Sequence, residues 1–193
     1  MKLTPDDLLH ITHDELRNVG KVKGRVITGV STDSRTIREG ELFVALRGSN
    51  HDGHKFLAEA FAAGAVAAIV ARDANVEPVK TMPLLVVPDT TRALGELARY
   101  YRRRFSIPVI AIGGSNGKTT TKDMIACVLR KRLTVLSTEA NLNNHIGVPL
   151  TLFRLQNRHD VAVVEIGTNH PGEIEYLCSV LEPTHGLITN IGR

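Results

Sequence analysis

The sequence has no tryptophan, and its aromatic side chains are three tyrosines and five phenylalanines. That scarcity argues against a nucleic-acid surface, which stacks bases on aromatic rings. The run Arg102-Arg103-Arg104 ends an expected helix, where cations are favoured, and does not by itself mark nucleic acid. The two cysteines, Cys127 and Cys178, lie far apart and lack metal-ligand spacing. Both fall in expected helices and read as reduced core thiols. No stretch reaches the ~18 apolar residues of a membrane span. The N-terminus, Met1-Lys2-Leu3-Thr4-Pro5-Asp6-Asp7, has acids where a secretory signal has an apolar run. No membrane insertion and a cytoplasmic location are the expectations. There is neither an internal repeat nor a low-complexity segment.

What is present is ordinary for a globular protein. The 193 residues are 42% hydrophobic and 23% charged, enough for one or two domains with a real core. A net charge of +4 fits an anionic substrate, and equally a plain basic surface. Thr4 with Pro5 reads as a helix start, and Thr12-His13-Asp14-Glu15 as a second, with capping-box spacing. Apolar runs predict strands over 26–30, 41–46, 67–71 and 84–87, and a helix over 55–63 that stops at Gly64. Thr90 or Thr91 is expected to cap a helix running to about Phe105. Ser106-Ile107-Pro108 breaks the pattern, so domains are expected over 1–106 and 107–193. Beyond it the pattern predicts a helix to about Arg132, a strand at 134–136, a helix at 149–155, a strand at 160–166, a helix from Pro171 to Leu181, and a strand at 186–189. Strands alternating with helices give an α/β fold with a largely parallel sheet.

The most informative segment is Val109-Ile110-Ala111-Ile112-Gly113-Gly114-Ser115-Asn116-Gly117-Lys118-Thr119-Thr120-Thr121. An apolar strand, a glycine-rich turn ending in Gly-Lys-Thr and a helix follow in the order that a phosphate-binding loop needs. Glycines let successive N–H groups point at one anion, and the helix adds the positive end of its dipole. Gly114, Ser115, Asn116, Gly117, Lys118, Thr119 and Thr120 are the expected ATP-binding residues. Lys118 would reach the β/γ-phosphates, and the Thr119 hydroxyl would hold Mg²⁺. The strict pattern has a glycine where this chain has Ile112. The plainer alternative is a glycine-rich turn that binds nothing.

Other clusters are less specific. Glu165 ends an otherwise apolar strand, either as a Mg²⁺ ligand facing the loop or as a solvated strand-end carboxylate. Asn143 and Asn144 sit in an asparagine-rich stretch that suits either ligand binding or turn chemistry. His170 opens a helix and could position phosphate or substrate, or simply be exposed. Ser34 and Arg35 follow the strand expected at 26–30, where an arginine suits a diphosphate, or a surface ion pair. Thr189-Asn190-Ile191-Gly192-Arg193 follows a buried strand, and the chain reads as stopping in mid-fold.

Taken together, these segments resemble the Mur ligases, the ATP-dependent amide-forming enzymes of peptidoglycan precursor synthesis. Gly114-Ser115-Asn116-Gly117-Lys118-Thr119 is similar to that family's form of the loop, which accounts for Ile112. Thr32-Asp33-Ser34-Arg35, Gly40 to Gly48 and Asp52-Gly53-His54 resemble its UDP-sugar-binding domain. The stretches 139–149, 165–174 and 183–192 resemble the member that adds the terminal dipeptide. The resemblance implies ATP and Mg²⁺ as cofactors, with UDP-N-acetylmuramoyl-peptide and D-alanyl-D-alanine as substrates. Lys118 and Glu165 become catalytic, Thr119 and Glu165 metal ligands, and Ser34, Arg35, Asn143, Asn144 and His170 substrate-binding. It implies a monomer at full length, and a chain that is an N-terminal portion inactive alone. The alternatives are the sister ligase adding the third peptide residue, a folylpolyglutamate synthase, and a nucleotide-binding loop module or kinase without ligase activity.

Overall fold

The computed structural model describes residues 3, 4, 7, 8, 15–17, 26–48 and 51–192. The chain divides into two compact units, Met1–Leu97 and Ala98–Arg193. The division falls inside a helix, Thr90–Arg102 (α2), because its last turn packs with the second unit. There the Tyr101 ring meets Phe105 edge-on at 5.2 Å, and its hydroxyl donates to the Leu155 carbonyl at 2.8 Å.

The first unit is built on a five-stranded sheet. In chain order its strands are β1 (Glu15–Arg17), β2 (Gly29–Ser31), β3 (Glu41–Val44), β4 (Ala67–Ala71) and β5 (Leu84–Val87). They lie in the order β1-β5-β4-β3-β2, all parallel except β1, which runs antiparallel to β5. β4 and β5 are buried along their whole length, so their apolar runs need no polar alternation. Phe43, Leu57, Ala60, Val70, Leu84 and Val86 share one core. A 3-10 turn, Gly53–Phe56, leads into α1 (Leu57–Ala62). The buried His54 ring accepts the Ala71 N–H at 2.9 Å and meets Asp52 at 2.6 Å, tying the loop after β3 to the end of β4.

Three local expectations need correction. Glu15 does not lie in a helix: Glu15–Arg17 is an edge strand whose pairing with β5 overrides the local capping-box spacing (residues 12–14 lie outside the described set). The cap of α2 is Asp89, whose Oδ1 accepts the N–H groups of Thr91 at 2.8 Å and Arg92 at 3.1 Å. Cys127 is exposed, because its helix buries the face carrying Lys122 and Ala126. The Thr4 cap is present: its Oγ1 accepts the Asp7 N–H at 3.2 Å, and the Asp7 carboxylate accepts the Thr4 N–H at 2.7 Å. Pro5 lies outside the described residues.

The second unit has four parallel strands: β6 (Val109–Gly113), β7 (Val135–Ser137), β8 (Val161–Glu165) and β9 (His185–Ile188). Their order is β7-β8-β6-β9. The helices are α3 (Lys118–Leu129), α4 (Gly147–Leu152) and α5 (Glu173–Leu181). The register sets Ile112 of β6 beside Glu165 of β8 on one side and Leu187 of β9 on the other. The C-terminal ends of β6, β8 and β9 therefore meet, and this is where open parallel sheets bind ligands. Among the described residues no helix is long and apolar enough to cross a membrane.

Candidate functional site

The segment after β6 has the conformation its glycines permit. Gly114 has φ +125, and a Cβ there would come within 2.2 Å of Thr189 Oγ1 and 3.0 Å of the Asn190 backbone. Gly117, at φ +79, makes the left-handed turn into α3. Ile112 lies in β6 itself and is fully buried, so the position where the strict pattern has glycine belongs to the sheet, not the loop. The first N–H groups of α3 have no carbonyl four residues back, while Thr121 N–H already reaches the Gly117 carbonyl at 2.9 Å. Ser115, Asn116, Thr119 and Thr120 are exposed.

Lys118 folds back over the loop. Its Nζ donates to the Gly114 carbonyl at 2.6 Å and the Ser115 carbonyl at 3.4 Å. The Thr119 hydroxyl donates to Glu165 Oε2 at 2.8 Å. Glu165 Oε1 accepts from Asn143 Nδ2, also at 2.8 Å. The carboxylate is only 3% exposed, which overturns the reading of a solvated strand-end acid. Both its oxygens are engaged, as burial of a carboxylate demands. Its own N–H donates to Thr138 Oγ1 at 2.9 Å, and the Thr138 carbonyl accepts Lys122 Nζ at 2.9 Å. Among the described residues no group of three or more His, Cys, Asp and Glu could hold a metal. The oxygen pair of Thr119 and Glu165 still suits Mg²⁺, which takes one or two protein oxygens and completes its shell with water and phosphate.

The remaining expected residues divide. Asn143 joins the Glu165 constellation, and its carbonyl accepts Gly167 N–H at 2.6 Å. Asn144 Oδ1 accepts the N–H groups of Ile146 and Gly147, at 3.1 and 2.9 Å, and so starts α4: this is turn chemistry. His170 is exposed, and its N–H points at Glu173 Oε2 at 3.4 Å. Ser34 and Arg35 belong to the first unit. Ser34 Oγ donates to Glu59 at 3.2 Å. The Arg35 side chain, 82% exposed, forks onto Asp33 at 2.9 and 2.7 Å. Those hydrogen bonds hold the Asp33 carboxyl down at about 2. Thr168, in the same turn as His170, donates its hydroxyl to the Gly114 carbonyl at 3.1 Å. Thr138 and Lys122, which brace Glu165 from behind, carry no motif that marks them in the sequence.

Beside the loop lies a cavity of about 430 Å³, with walls from Gly114, Thr168, Ile166, Ile174 and Ile191. The second unit thus combines loop N–H groups, one ammonium, a hydroxyl–carboxylate pair and an adjoining apolar hollow. This composition is common in small-molecule sites.

Two family models match, the Mur ligase middle domain over residues 112–193 and the Mur ligase family catalytic domain over 26–102. A UDP-N-acetylmuramoyl-tripeptide–D-alanyl-D-alanine ligase from Synechocystis sp. is 46% identical over 86% of this chain. The crystal structure of MurF from Acinetobacter baumannii superposes on the whole chain with a TM-score of 0.91 at 37% identity. That of MurF ligase from Thermotoga maritima in complex with ADP covers 85% of it with a TM-score of 0.76 at 33% identity. The chain spans 36% of the length of the first relative and 42% and 38% of the two structures. By both family models and by these relatives, the chain belongs to the Mur ligase family.

Proposed function

We propose that this chain carries the ATP site and the UDP-sugar domain of a ligase that joins D-alanyl-D-alanine to UDP-N-acetylmuramoyl-tripeptide in peptidoglycan precursor synthesis. The observation that carries the reading is the Thr119–Glu165 pair, 2.8 Å apart, at the mouth of the Gly114–Thr120 loop. The names of the relatives support the substrates, and the ADP complex of the Thermotoga maritima enzyme supports the nucleotide. The proposed domains are residues 1–106, for the UDP-sugar, and 107–193, for the nucleotide. The protein is proposed to act in the cytoplasm.

The reaction has two steps. The acceptor carboxylate attacks the γ-phosphate of ATP, giving an acyl phosphate and ADP. The amine of the dipeptide then attacks the acyl carbon, phosphate leaves, and an amide forms. The first step brings two anions together, and the residues here oppose their repulsion. Lys118 exchanges the Gly114 carbonyl for phosphate oxygens, and the first-turn N–H groups of α3 donate to the same phosphates. Thr119 and Glu165 would hold Mg²⁺, which neutralises phosphate charge when bound. Asn143, hydrogen-bonded to Glu165 Oε1, fixes the carboxylate's orientation. Ser34 and Arg35 are proposed to bind the UDP-sugar, so that binding energy far from the chemistry orients the acceptor. Arg35 would leave Asp33 for a diphosphate. His170, exposed beside the helix start, is proposed on the substrate side.

Product analysis tests the ligase assignment. A polypeptide carrying this chain is given ATP and Mg²⁺ with either UDP-N-acetylmuramoyl-tripeptide and D-alanyl-D-alanine, or UDP-N-acetylmuramoyl-dipeptide and a single diamino acid. Pentapeptide product from the dipeptide is expected. Addition of a single diamino acid to a dipeptide precursor would move the assignment to the sister ligase.

A further inference from the structure

The phosphate loop does not hold itself. Its Ser115 N–H donates to the Asn190 carbonyl at 3.1 Å, and its Asn116 N–H donates to Asn190 Oδ1 at 2.8 Å. One asparagine thus takes two successive loop N–H groups, one with its backbone and one with its side chain. The neighbouring residues add bonds in both directions. Thr189 Oγ1 donates to the Asn116 carbonyl at 2.6 Å and lies 3.3 Å from the Gly113 carbonyl, and Gly192 N–H donates to Ser115 Oγ at 2.8 Å. The close approach of this segment leaves no room for a side chain at Gly114. We infer that Thr189 and Asn190, at the end of β9, form a clamp that sets the conformation of the phosphate loop and are positioning residues for nucleotide binding.

With Ser115 and Asn116 N–H committed to Asn190, the N–H groups left for an anion are those at the start of α3, beside Lys118 and Thr119. The clamp therefore orients the loop so that its remaining donors share one direction. Without the side-chain acceptor, the Asn116 peptide is free to rotate and the loop samples other conformations. Nucleotide must then order it, at a cost in affinity.

This inference rests on the reading of the loop as a nucleotide site, and the test separates the two. Hydrogen exchange and ADP–Mg²⁺ calorimetry are run on the 193-residue chain, on Asn190→Ala, on Asn190→Asp and on Thr189→Val. Asn190→Ala is expected to speed exchange at Asn116 at least about tenfold and to raise the ADP Kd at least about tenfold, while amides of β6 and β8 keep their protection. Asn190→Asp keeps an acceptor at the same place and is expected to restore the Asn116 protection. Thr189→Val is expected to fall between. Unchanged exchange at Asn116 in Asn190→Ala would overturn the clamp, as would an equal loss of protection across β6 and β8. If no variant, nor the unaltered chain, bound ADP, the nucleotide reading and the clamp's role in binding would both fall, and the exchange data would still decide whether Asn190 holds the loop.

Discussion

Glu165 concentrates the chemistry of the site in one carboxylate. It is buried, its two oxygens are bonded to Thr119 and Asn143, and its N–H is bonded to Thr138. Replacing it by glutamine keeps the shape but removes the charge: the amide oxygen still accepts from Asn143, and the new NH2 is matched when the Thr119 hydroxyl turns to accept. Glu165→Gln is expected to cost about 1 kcal/mol of stability, the difference between hydrogen bonds to a charged and to a neutral group. It should also remove most of the gain in ADP affinity that Mg²⁺ provides. Titrations with and without Mg²⁺ measure this, and an undiminished Mg²⁺ effect would count against Glu165 as a metal ligand. How much of this was legible can be judged from single residues. Glu165 stood out because a carboxylate at the end of Val161-Ala162-Val163-Val164 is costly, and the parallel register then put it beside the loop strand. Asn144 was not separable from Asn143 by sequence, since the two share a residue type and differ only in which way the turn points them. Thr189 and Asn190 were visible as a ligand-loop segment, but their partners in 113–116 are more than seventy positions away.

At the level of elements, the helix ends carry the information that local rules misjudged. Asp89 rather than a threonine caps α2, and the strand Glu15–Arg17 replaces an expected helix. Capping rules read a few neighbouring residues, whereas an edge strand is decided by a partner such as β5. The end of α5 shows a further device. Glu182 sits in the left-handed region at φ 46, uncommon for a side-chain residue, with Arg103 and Arg99 on its carboxylate at 2.6 and 2.8 Å. The Arg103 hydrogen bonds above all, then those of Arg99, hold its carboxyl at about 2 against an ordinary 4.5. The folded state therefore holds this carboxylate ionised at pH values where the unfolded chain binds a proton. Its contribution is complete above about pH 4.5 and is lost as pH falls toward 2. Glu182→Gln should lower stability near neutral pH by about 1 kcal/mol, less than the shift alone implies because the pair is partly solvated. The same variant should show a shallower loss of stability between pH 4.5 and 2. Urea unfolding at a series of pH values checks both, and parallel curves for the two proteins would contradict them.

At the scale of the whole molecule, a mostly parallel sheet and an all-parallel one divide the work proposed for the chain, the first for the UDP-sugar and the second for the nucleotide. The α/β alternation was plain in the sequence, because fully buried parallel strands read as uninterrupted apolar runs. The antiparallel β1 was not, as three residues at a sheet edge carry little pattern. If the proposed boundary near residue 106 holds, brief trypsin treatment should cut first at the exposed Arg103 or Arg104 and leave two resistant pieces. First cuts elsewhere, with neither piece persisting, would contradict two independent domains.

In the function proposed here, the Gly114–Thr120 loop binds nucleotide phosphate. Calorimetric titration of the 193-residue chain with ADP and Mg²⁺, alongside Lys118→Ala and with UDP-N-acetylmuramoyl-tripeptide as a second ligand, decides it. In the proposed role Lys118 would supply the phosphates with a charge-assisted hydrogen bond of about 1.5–3 kcal/mol, so its loss should weaken ADP by roughly ten- to a hundredfold. The same variant should leave the affinity for the UDP-sugar unchanged. Equal ADP affinity in the two proteins, or a loss of UDP-sugar binding with ADP binding intact, would contradict the assignment of the loop.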